Sequence, residues 1–343
     1  MRIGTQADPS SAATPFPLPR PSDRYTCRHK PIASSAITVD PDMKAIQYSR
    51  FGGPEVLELV ELPDPHPGPG QIRVAVRAAG VNPIDWKMRG GMRGGDLPQT
   101  TGREFAGVVD ELGDGITGVA VGDEVFGFAA GGGGAAELAL SSDFAPIPPS
   151  LDFAHAAGLP VAVETAVRTL DLLGVGDGTA LLVNGAAGAV GSAAVQIAVD
   201  RGARVIGTAS PGNHDYLRSL GAEPTTYGDG LVGRVRALAP DGVDAALDAA
   251  GAGALPALVE LAGDPQQVVT VADYAGAEAT SARFSGGPGT PRAVHALTDI
   301  GDLIEAGRFT MPVAQTFPLA QITEAHRLSE TGHVRGKLVL LVG

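Results

Sequence analysis

The stretch Val183-Asn-Gly-Ala-Ala-Gly-Ala-Val-Gly191 constrains this chain more than any other. It follows the apolar run Thr179-Ala-Leu-Leu-Val and opens the helix-like run Ser192-Ala-Ala-Val-Gln-Ile-Ala-Val. Strand, glycine turn and helix in that order belong to a parallel α/β layer. They bring an anion to a helix N-terminus, where unpaired N–H groups and the helix dipole favour it. The spacing is Ala186-x-Gly188-x-x-Gly191, a variant of the dinucleotide fingerprint with Gly185 one place earlier. Alanine at the first position permits a tight turn if its φ is negative. Gly188 lets backbone approach phosphates, and Gly191 lets the helix pack close to the strand. On the bare pattern, a glycine-rich turn of some other α/β protein stands beside a pyrophosphate site formed by Ala186, Ala187, Gly188, Ala189, Val190 and Gly191. The visible strand and helix favour the second.

The chain before this motif is β-rich. Lys44-Ala-Ile-Gln-Tyr, Val56-Leu-Glu-Leu-Val-Glu-Leu and Gln71-Ile-Arg-Val-Ala-Val-Arg alternate, and they are split by Phe51-Gly-Gly-Pro and the Pro/Gly-rich 63–70. Short strands with glycine turns predict a small barrel. Leu159, Val163, Ala166, Val167 and Leu170 recur at helical spacing and predict a linking helix. From Thr179 the order is βαβ, with strands at Arg204-Val-Ile-Gly-Thr, near Thr225-Thr-Tyr, at Val243-Asp-Ala-Ala-Leu-Asp and at Gln267-Val-Val-Thr-Val. Asn213 is expected to cap a helix that runs to Gly221. Helices over 293–306 and 321–328 precede the apolar strand Gly336-Lys-Leu-Val-Leu-Leu-Val, which most simply rejoins the first domain.

Composition limits the function classes. The formal charge of −13 argues against a nucleic-acid surface. Nothing reads as a run of about 20 apolar residues, so no membrane span is expected. Cys27 is the single cysteine, which rules out an intrachain disulfide and a cysteine-built zinc cage. The chain suits a reducing cytoplasm. Residues 1–42 are rich in Pro, Ser, Thr and Ala and lack the apolar core of a secretory signal. They read as a disordered leader or as the product of a start codon placed too early.

Several separate motifs now carry a family resemblance. They are Met43-Lys-Ala-Ile-Gln-Tyr, Phe51-Gly-Gly-Pro-Glu-Val-Leu, Gly80-Val-Asn-Pro-Ile-Asp, Gly102-Arg-Glu-Phe-Ala-Gly-Val-Val, Gly122-Asp-Glu-Val, the glycine turn and Gly332-His-Val-Arg-Gly-Lys. In this order they resemble the medium-chain dehydrogenase/reductases, in the zinc-independent quinone oxidoreductase (zeta-crystallin-like) branch. The resemblance covers about residues 43–343. It implies an α/β fold in which a GroES-like β-barrel domain is interrupted by a Rossmann doubly wound parallel sheet. The corresponding spans are 43–164 for the first part of the catalytic domain, 165–292 for the nucleotide domain and 293–343 for the return. It also implies an active site in the cleft between the domains, and a homodimer.

Zinc-dependent relatives carry a cysteine near Gly80-Val-Asn and a histidine near Gly102-Arg-Glu. Here those positions are Asn82 and Arg103, and no catalytic metal is expected. Without a Lewis acid, hydride delivery to an already electrophilic acceptor remains, namely a quinone or an α,β-unsaturated carbonyl. The second nucleotide-domain strand ends in Ser210 rather than an acidic residue, which removes the bar to a ribose 2′-phosphate and favours NADPH. By resemblance, Tyr227 is a second phosphate contact. Where some relatives have a lysine after the serine, this chain has Pro211-Gly-Asn-His, so no cation is assured.

Asn82 offers an amide donor to a substrate carbonyl, or it is a plain Asn-Pro turn. Lys87 is a donor or a solvated charge. Thr165 resembles a family threonine near the nicotinamide, or it bonds its own helix. Asp85 is expected to be structural, and Arg103–Glu104 an ion pair at the cleft. Val271 and Ala272 are expected to pass near the nicotinamide amide. Lys337 is a cofactor contact by resemblance, or a surface lysine. Gly131-Gly-Gly-Gly134 borders the cleft or forms a mobile loop. Three functions follow: an NADPH-dependent quinone or enone reductase, an enoyl-thioester reductase of lipid or polyketide metabolism, and a dinucleotide-binding protein without turnover.

Overall fold

A computed structural model describes residues 42–287 and 289–343. The expectations for the leader and for Cys27 fall outside the described residues. Asp42 was included in that leader, yet it already pairs with Pro63.

The first domain is built on alternation. β1 (Asp42–Tyr48), β2 (Glu58–Pro63) and β4 (Gln99–Thr100) form a three-stranded sheet in the order β2-β1-β4. β3 (Ile72–Val81) is the centre of a seven-stranded sheet. β5 (Glu104–Leu112), β7 (Leu138–Ser141) and, at the far end of the chain, β16 (Lys337–Leu341) pair with it antiparallel. β6 (Glu124–Phe128), β8 (Asp143–Pro146) and β15 (Val313–Pro318) complete that sheet. Ile72, Val74 and Val76 alternate inward along β3 and meet Ile46, Phe105, Val125, Leu338 and Leu340 in one core. The returning strand therefore belongs to this domain: Leu338 lies opposite Val81 and Leu341 opposite Ala78.

α1 (Pro83–Arg89) follows β3 directly, with Pro83 at its first turn. After α2 (Phe153–Ala157), α3 (Pro160–Leu173) leads into the second domain. Here the strands are buried on both faces, as a parallel sheet covered by helices requires. The sheet order is β11-β10-β9-β12-β13-β14, made of β9 (Ala180–Asn184), β10 (Arg204–Thr208), β11 (Glu223–Thr225), β12 (Ala245–Asp248), β13 (Val268–Thr270) and β14 (Arg283–Phe284). All its pairings are parallel. The order reverses at β9, whose neighbours are β10 and β12, and a doubly wound sheet opens its ligand crevice at such a point. The intervening helices are α4 (Ala189–Asp200), α5 (His214–Ser219), α6 (Leu231–Leu238), α7 (Leu255–Ala262) and α8 (Tyr274–Thr280). α9 (Ala296–Glu305) and α10 (Ile322–Glu330) precede the return. No helix among the described residues is long and apolar enough to cross a membrane.

Two local expectations need correction. Residues 293–295 form a turn before α9, so that helix starts three residues later than the periodicity predicts. Asn213 does not cap α5 with its side chain; its amide donates to Ser210 Oγ at 3.2 Å instead.

α1 and α10 are locked by a buried guanidinium. Arg89 Nε donates to the Gly52 carbonyl at 3.1 Å, Nη1 lies 2.9 Å from His326 Nδ1, and Nη2 pairs with Glu330. His326 is 1% exposed. Burial first, and the Arg89 charge second, push its pKa down to about 3, so the folded ring is neutral and accepts from Arg89. The unfolded chain takes up a proton near pH 6.5 and the folded chain does not. This contribution is therefore complete above that pH and is lost as pH falls toward 3. Urea unfolding across this range is expected to show a stability loss approaching about 1.4 kcal/mol per pH unit beyond that of His326→Gln. Parallel curves for the two proteins would refute the assignment.

Candidate functional site

The glycine turn leaves β9 at Asn184. Gly185 has φ +78, while Ala186 is not in the left-handed region, so the unusual backbone sits one place before the fingerprint's alanine. A Cβ on Gly185 would meet that of Ala250 at 2.7 Å, and one on Gly191 would lie 2.2 Å from the Gly185 carbonyl. Both positions need hydrogen for packing. Gly188 differs: its nearest atom would be 3.5 Å away, leaving the turn open on the side where a ligand would approach. Gly188 is extended and precedes α4, whose first residues are Ala189, Val190 and Gly191; Ala187 is nearly buried beside it.

A buried polar network holds the strand ends around this turn. Asp248 Oδ1 accepts from Asn184 Nδ2 at 2.9 Å and from the Gly251 N–H at 2.8 Å, and Oδ2 accepts from Thr270 Oγ1 at 2.8 Å. Thr208 Oγ1 donates to Asn184 Oδ1 at 2.7 Å and accepts from the Gly185 N–H at 3.1 Å. Val271 is tied to the Asp248 carbonyl and Ala272 to Thr270 Oγ1, so both stand at the crevice edge. None of these polar strand ends was singled out from sequence. Their signal was present, because each is a polar residue that closes an apolar run.

Beyond β10, Ser210 is half-buried with extended backbone. β11 ends at Thr225, so Tyr227 lies past the strand rather than in it and is 56% exposed. Arg234 gathers this loop, its guanidinium donating to the carbonyls of Thr226, Tyr227, Gly228 and Asp229. A cation therefore stands beside Tyr227, supplied from α6 rather than from the turn after Ser210.

The barrel meets the glycine turn at one backbone contact, a parallel bridge between Gly188 and Gly336. The next residue, Lys337, is 2% exposed and so is no surface lysine. Its Nζ donates to Asn82 Oδ1 and to Glu104 Oε1, each at 2.6 Å. Asn82 Nδ2 donates to Glu104 Oε1 at 2.8 Å, and the Val161 N–H donates to Glu104 Oε2 at 2.6 Å. Gly80 makes room, since a Cβ there would stand 2.1 Å from Glu104 Oε1. Lys337 thus keeps one unengaged N–H, and the Asn82 amide has lost its carbonyl and one hydrogen to the cluster.

The expected Arg103–Glu104 pair does not form. Neighbouring residues of an extended chain point to opposite sides, and Glu104 turns inward to Lys337. Zinc does not fit this cluster either: an ammonium already faces the carboxylate and the amide, and the remaining position is a guanidinium. Among the described residues no group of three His, Cys, Asp or Glu side chains is placed to hold a metal.

Asp85 is 3% exposed. Its Oδ2 accepts from the Asn82 N–H at 2.8 Å, while Oδ1 has no partner among the described residues. Burial raises its pKa to about 6, against the opposing effects of that hydrogen bond and of the Arg103 charge. Asp85, Arg103, Tyr48, Gly131 and Gly132 share the lining of a cavity of about 460 Å³. The Gly131–Gly132 turn thus borders this cavity. Lys87 is not brought there; its Nζ stands 5.7 Å over the Trp86 ring. Thr165 is buried on α3 near Glu164, and it is Thr169, not Thr165, that bonds back to its helix, at 2.8 Å from the Thr165 carbonyl.

Lys337→Met is expected to destabilise by about 3–5 kcal/mol, because it leaves Glu104 buried without a counter-charge. Glu104→Gln in the same chain should restore a large part of that loss. Guanidinium unfolding of the two single variants and the double variant measures the coupling; simple additivity would refute it.

Comparison with known proteins agrees with this geometry. Residues 68–145 match the alcohol dehydrogenase GroES-like domain family, and residues 220–340 match the zinc-binding dehydrogenase family. The solved quinone oxidoreductase of Coxiella burnetii is 32% identical with a TM-score of 0.77, over 88% of this chain and 100% of that one. A mycobacterial protein solved in complex with NADPH is 27% identical with a TM-score of 0.75, over 87% of this chain and all of the other. The quinone oxidoreductase of Rattus norvegicus is 42% identical over 173 residues, which are 49% of this chain and 53% of that protein. The spectinabilin polyketide synthase system protein NorB of Streptomyces orinoci is 37% identical over 309 residues, 84% of this chain but 14% of that protein. The matches thus span about half or less of these two curated relatives. The chain belongs to the medium-chain dehydrogenase/reductase superfamily, as a quinone oxidoreductase-like protein with a GroES-like domain and a Rossmann sheet.

Proposed function

We propose that this protein is an NADPH-dependent, zinc-independent reductase of quinones or α,β-unsaturated carbonyls. The observation that carries the reading is the junction of the two domains. The open glycine turn touches the barrel at Gly336, and the next residue supplies an ammonium, not a metal site, to Asn82 and Glu104. In this reading the catalytic domain comprises residues 43–164 and 293–343, and the nucleotide domain residues 165–292.

The backbone of Ala186, Ala187, Gly188, Ala189, Val190 and Gly191 would hold the pyrophosphate. Val271 and Ala272 would border the nicotinamide amide, with Asn82 on the barrel side and Thr165 on the helix that joins the domains. Ser210 and Tyr227 would receive the 2′-phosphate, and Arg234 supports this by bringing a guanidinium to the Tyr227 loop. No residue at the end of β10 offers the carboxylate that would repel it. The bound dinucleotide supplies a hydride. The protein's own part is orientation and electrostatic stabilisation of the acceptor.

A second reading, an enoyl-thioester reductase, draws on the match of 84% of this chain to a polyketide synthase protein. Its chemistry is the same on a larger acceptor. Purified protein is to be given NADPH or NADH with 1,4-benzoquinone, crotonaldehyde and crotonyl-pantetheine, while cofactor absorbance is followed. Oxidation of NADPH with the first two, at least about tenfold faster than NADH, is expected; tenfold corresponds to about 1.4 kcal/mol of phosphate recognition. Ser210→Asp should abolish that preference. Turnover confined to the thioester would favour the second reading. Tight NADPH binding without turnover on any acceptor would leave a binding protein.

A further inference from the structure

The cavity lined by Asp85 also contains the Arg103 guanidinium, whose charge Asp85 feels without bonding to it. Gly102 has φ +92, and a Cβ there would lie 2.3 Å from the Ala135 nitrogen, so glycine is required where the chain turns into Arg103. The Arg103 carbonyl accepts from the Ala129 N–H at 3.0 Å, which holds the backbone. Its side chain is half-buried, and no hydrogen bond or ion pair reaches its guanidinium among the described residues. Several other half-buried or buried arginines are ion-paired, Arg73 with Asp110, Arg89 with Glu330 and Arg168 with Glu164, whereas Arg283 Nε is likewise buried without a partner among the described residues. A guanidinium presents five N–H donors in a planar fork suited to an oxyanion. Removing it from water without a partner is unfavourable, and such groups gather where a ligand completes them. The cavity's volume of about 460 Å³ is that of a small-molecule site.

We infer that Arg103 holds the acceptor's carbonyl oxygen in this cavity and stabilises the oxyanion that forms on it. The inference rests on the reductase reading above. Reduction of an enone by a reduced nicotinamide dinucleotide would break the C4–H bond of the dihydronicotinamide, oxidising that ring to the nicotinamide cation, and form a C–H bond at the β-carbon with the same electron pair. The C=C π pair becomes the new Cα=C bond, and the carbonyl π pair moves onto oxygen. A proton from water then adds to the α-carbon, using the Cα=C pair, as the oxygen pair re-forms the carbonyl and hydroxide is left. Hydrogen bonds from Arg103 strengthen as that oxygen gains charge, so they lower the barrier more than they tighten substrate binding. At the position where zinc-dependent relatives place a histidine ligand, this chain carries the positive charge on the side chain itself.

Two measurements test the assignment. With the acceptor that turns over, Arg103→Gln is expected to lower kcat about 10²–10³-fold with KM changed severalfold at most. Arg103→Lys, which keeps the charge and loses the fork, should fall between. Independently of turnover, calorimetric titration of the NADP⁺-loaded protein with 4-hydroxybenzoate should show binding that Arg103→Gln weakens at least tenfold. The neutral 4-hydroxybenzamide should bind both proteins alike. Equal benzoate binding by the two proteins, or a kcat for Arg103→Gln within twofold of the parent, would overturn the inference. Failure of the parent to reduce any acceptor would remove the reductase reading, and the benzoate titration would still decide whether Arg103 is an oxyanion site.

Discussion

The Lys337 ammonium, held between Asn82 and Glu104, is the interaction on which the site depends. Its three members come from the end of β3, the start of β5 and the start of β16, so it joins three adjacent strands at one point. The cluster is nearly dry: Lys337 is 2% exposed and Glu104 0%. Such a pair is stable only with good geometry and with its other lone pairs satisfied. Both conditions hold. Glu104 uses its second oxygen on the Val161 N–H, at the start of the helix that leads to the nucleotide domain. Lys337 itself follows the residue that bridges to the glycine turn. One carboxylate therefore links the barrel, the interdomain helix and the cofactor turn.

The same cluster explains the division between what sequence patterns reveal and what they hide. The glycine turn is legible because all its determinants lie within about 20 residues: an apolar strand, glycines at fixed offsets and an apolar helix. The barrel is legible because alternation in β3 is local. Lys337, in contrast, meets its partners across 255 and 233 positions in sequence. No periodicity encodes that meeting, and an isolated Gly-Lys near the end of a chain is equally well a solvated charge. The expectation of an Arg103–Glu104 pair failed for a stereochemical reason, since adjacent residues entering a strand face opposite ways. The Asn184–Thr208–Asp248–Thr270 network lies between these extremes. Each polar residue ends an apolar run in plain view, and only the parallel register shows that the four ends coincide.

The fold also separates rigid from adaptable parts of the site. The strand-end network and the Lys337 cluster consist of short, buried, mutually satisfied bonds, which fix backbone positions. The region proposed to receive a 2′-phosphate is different in kind. Tyr227 is mostly exposed, and its loop is held by one arginine through backbone carbonyls. On the proposed reading, recognition of the pyrophosphate therefore rests on backbone that packing forces into place. On the same reading, discrimination between cofactors rests on a few side chains at the rim, which substitution alters without disturbing the core.

Replacing a metal by an ammonium has a chemical consequence. A zinc ion with an open coordination position polarises a substrate oxygen directly. A lysine with two of its three N–H groups bonded to Asn82 and Glu104 has little left to give, and its charge is already balanced by the Glu104 carboxylate. The fixed cation that organises this barrel is thus poorly placed to stabilise a second anion. Charge that develops on an acceptor has to be met by a group whose donors are free. At the start of β5 the chain places such a group beside a paired one: Glu104 faces the lysine, and Arg103, the residue before the strand, lines the cavity. Strand alternation, which defeats the simple pairing of these neighbours, turns one into the buried cluster and the other toward the cavity.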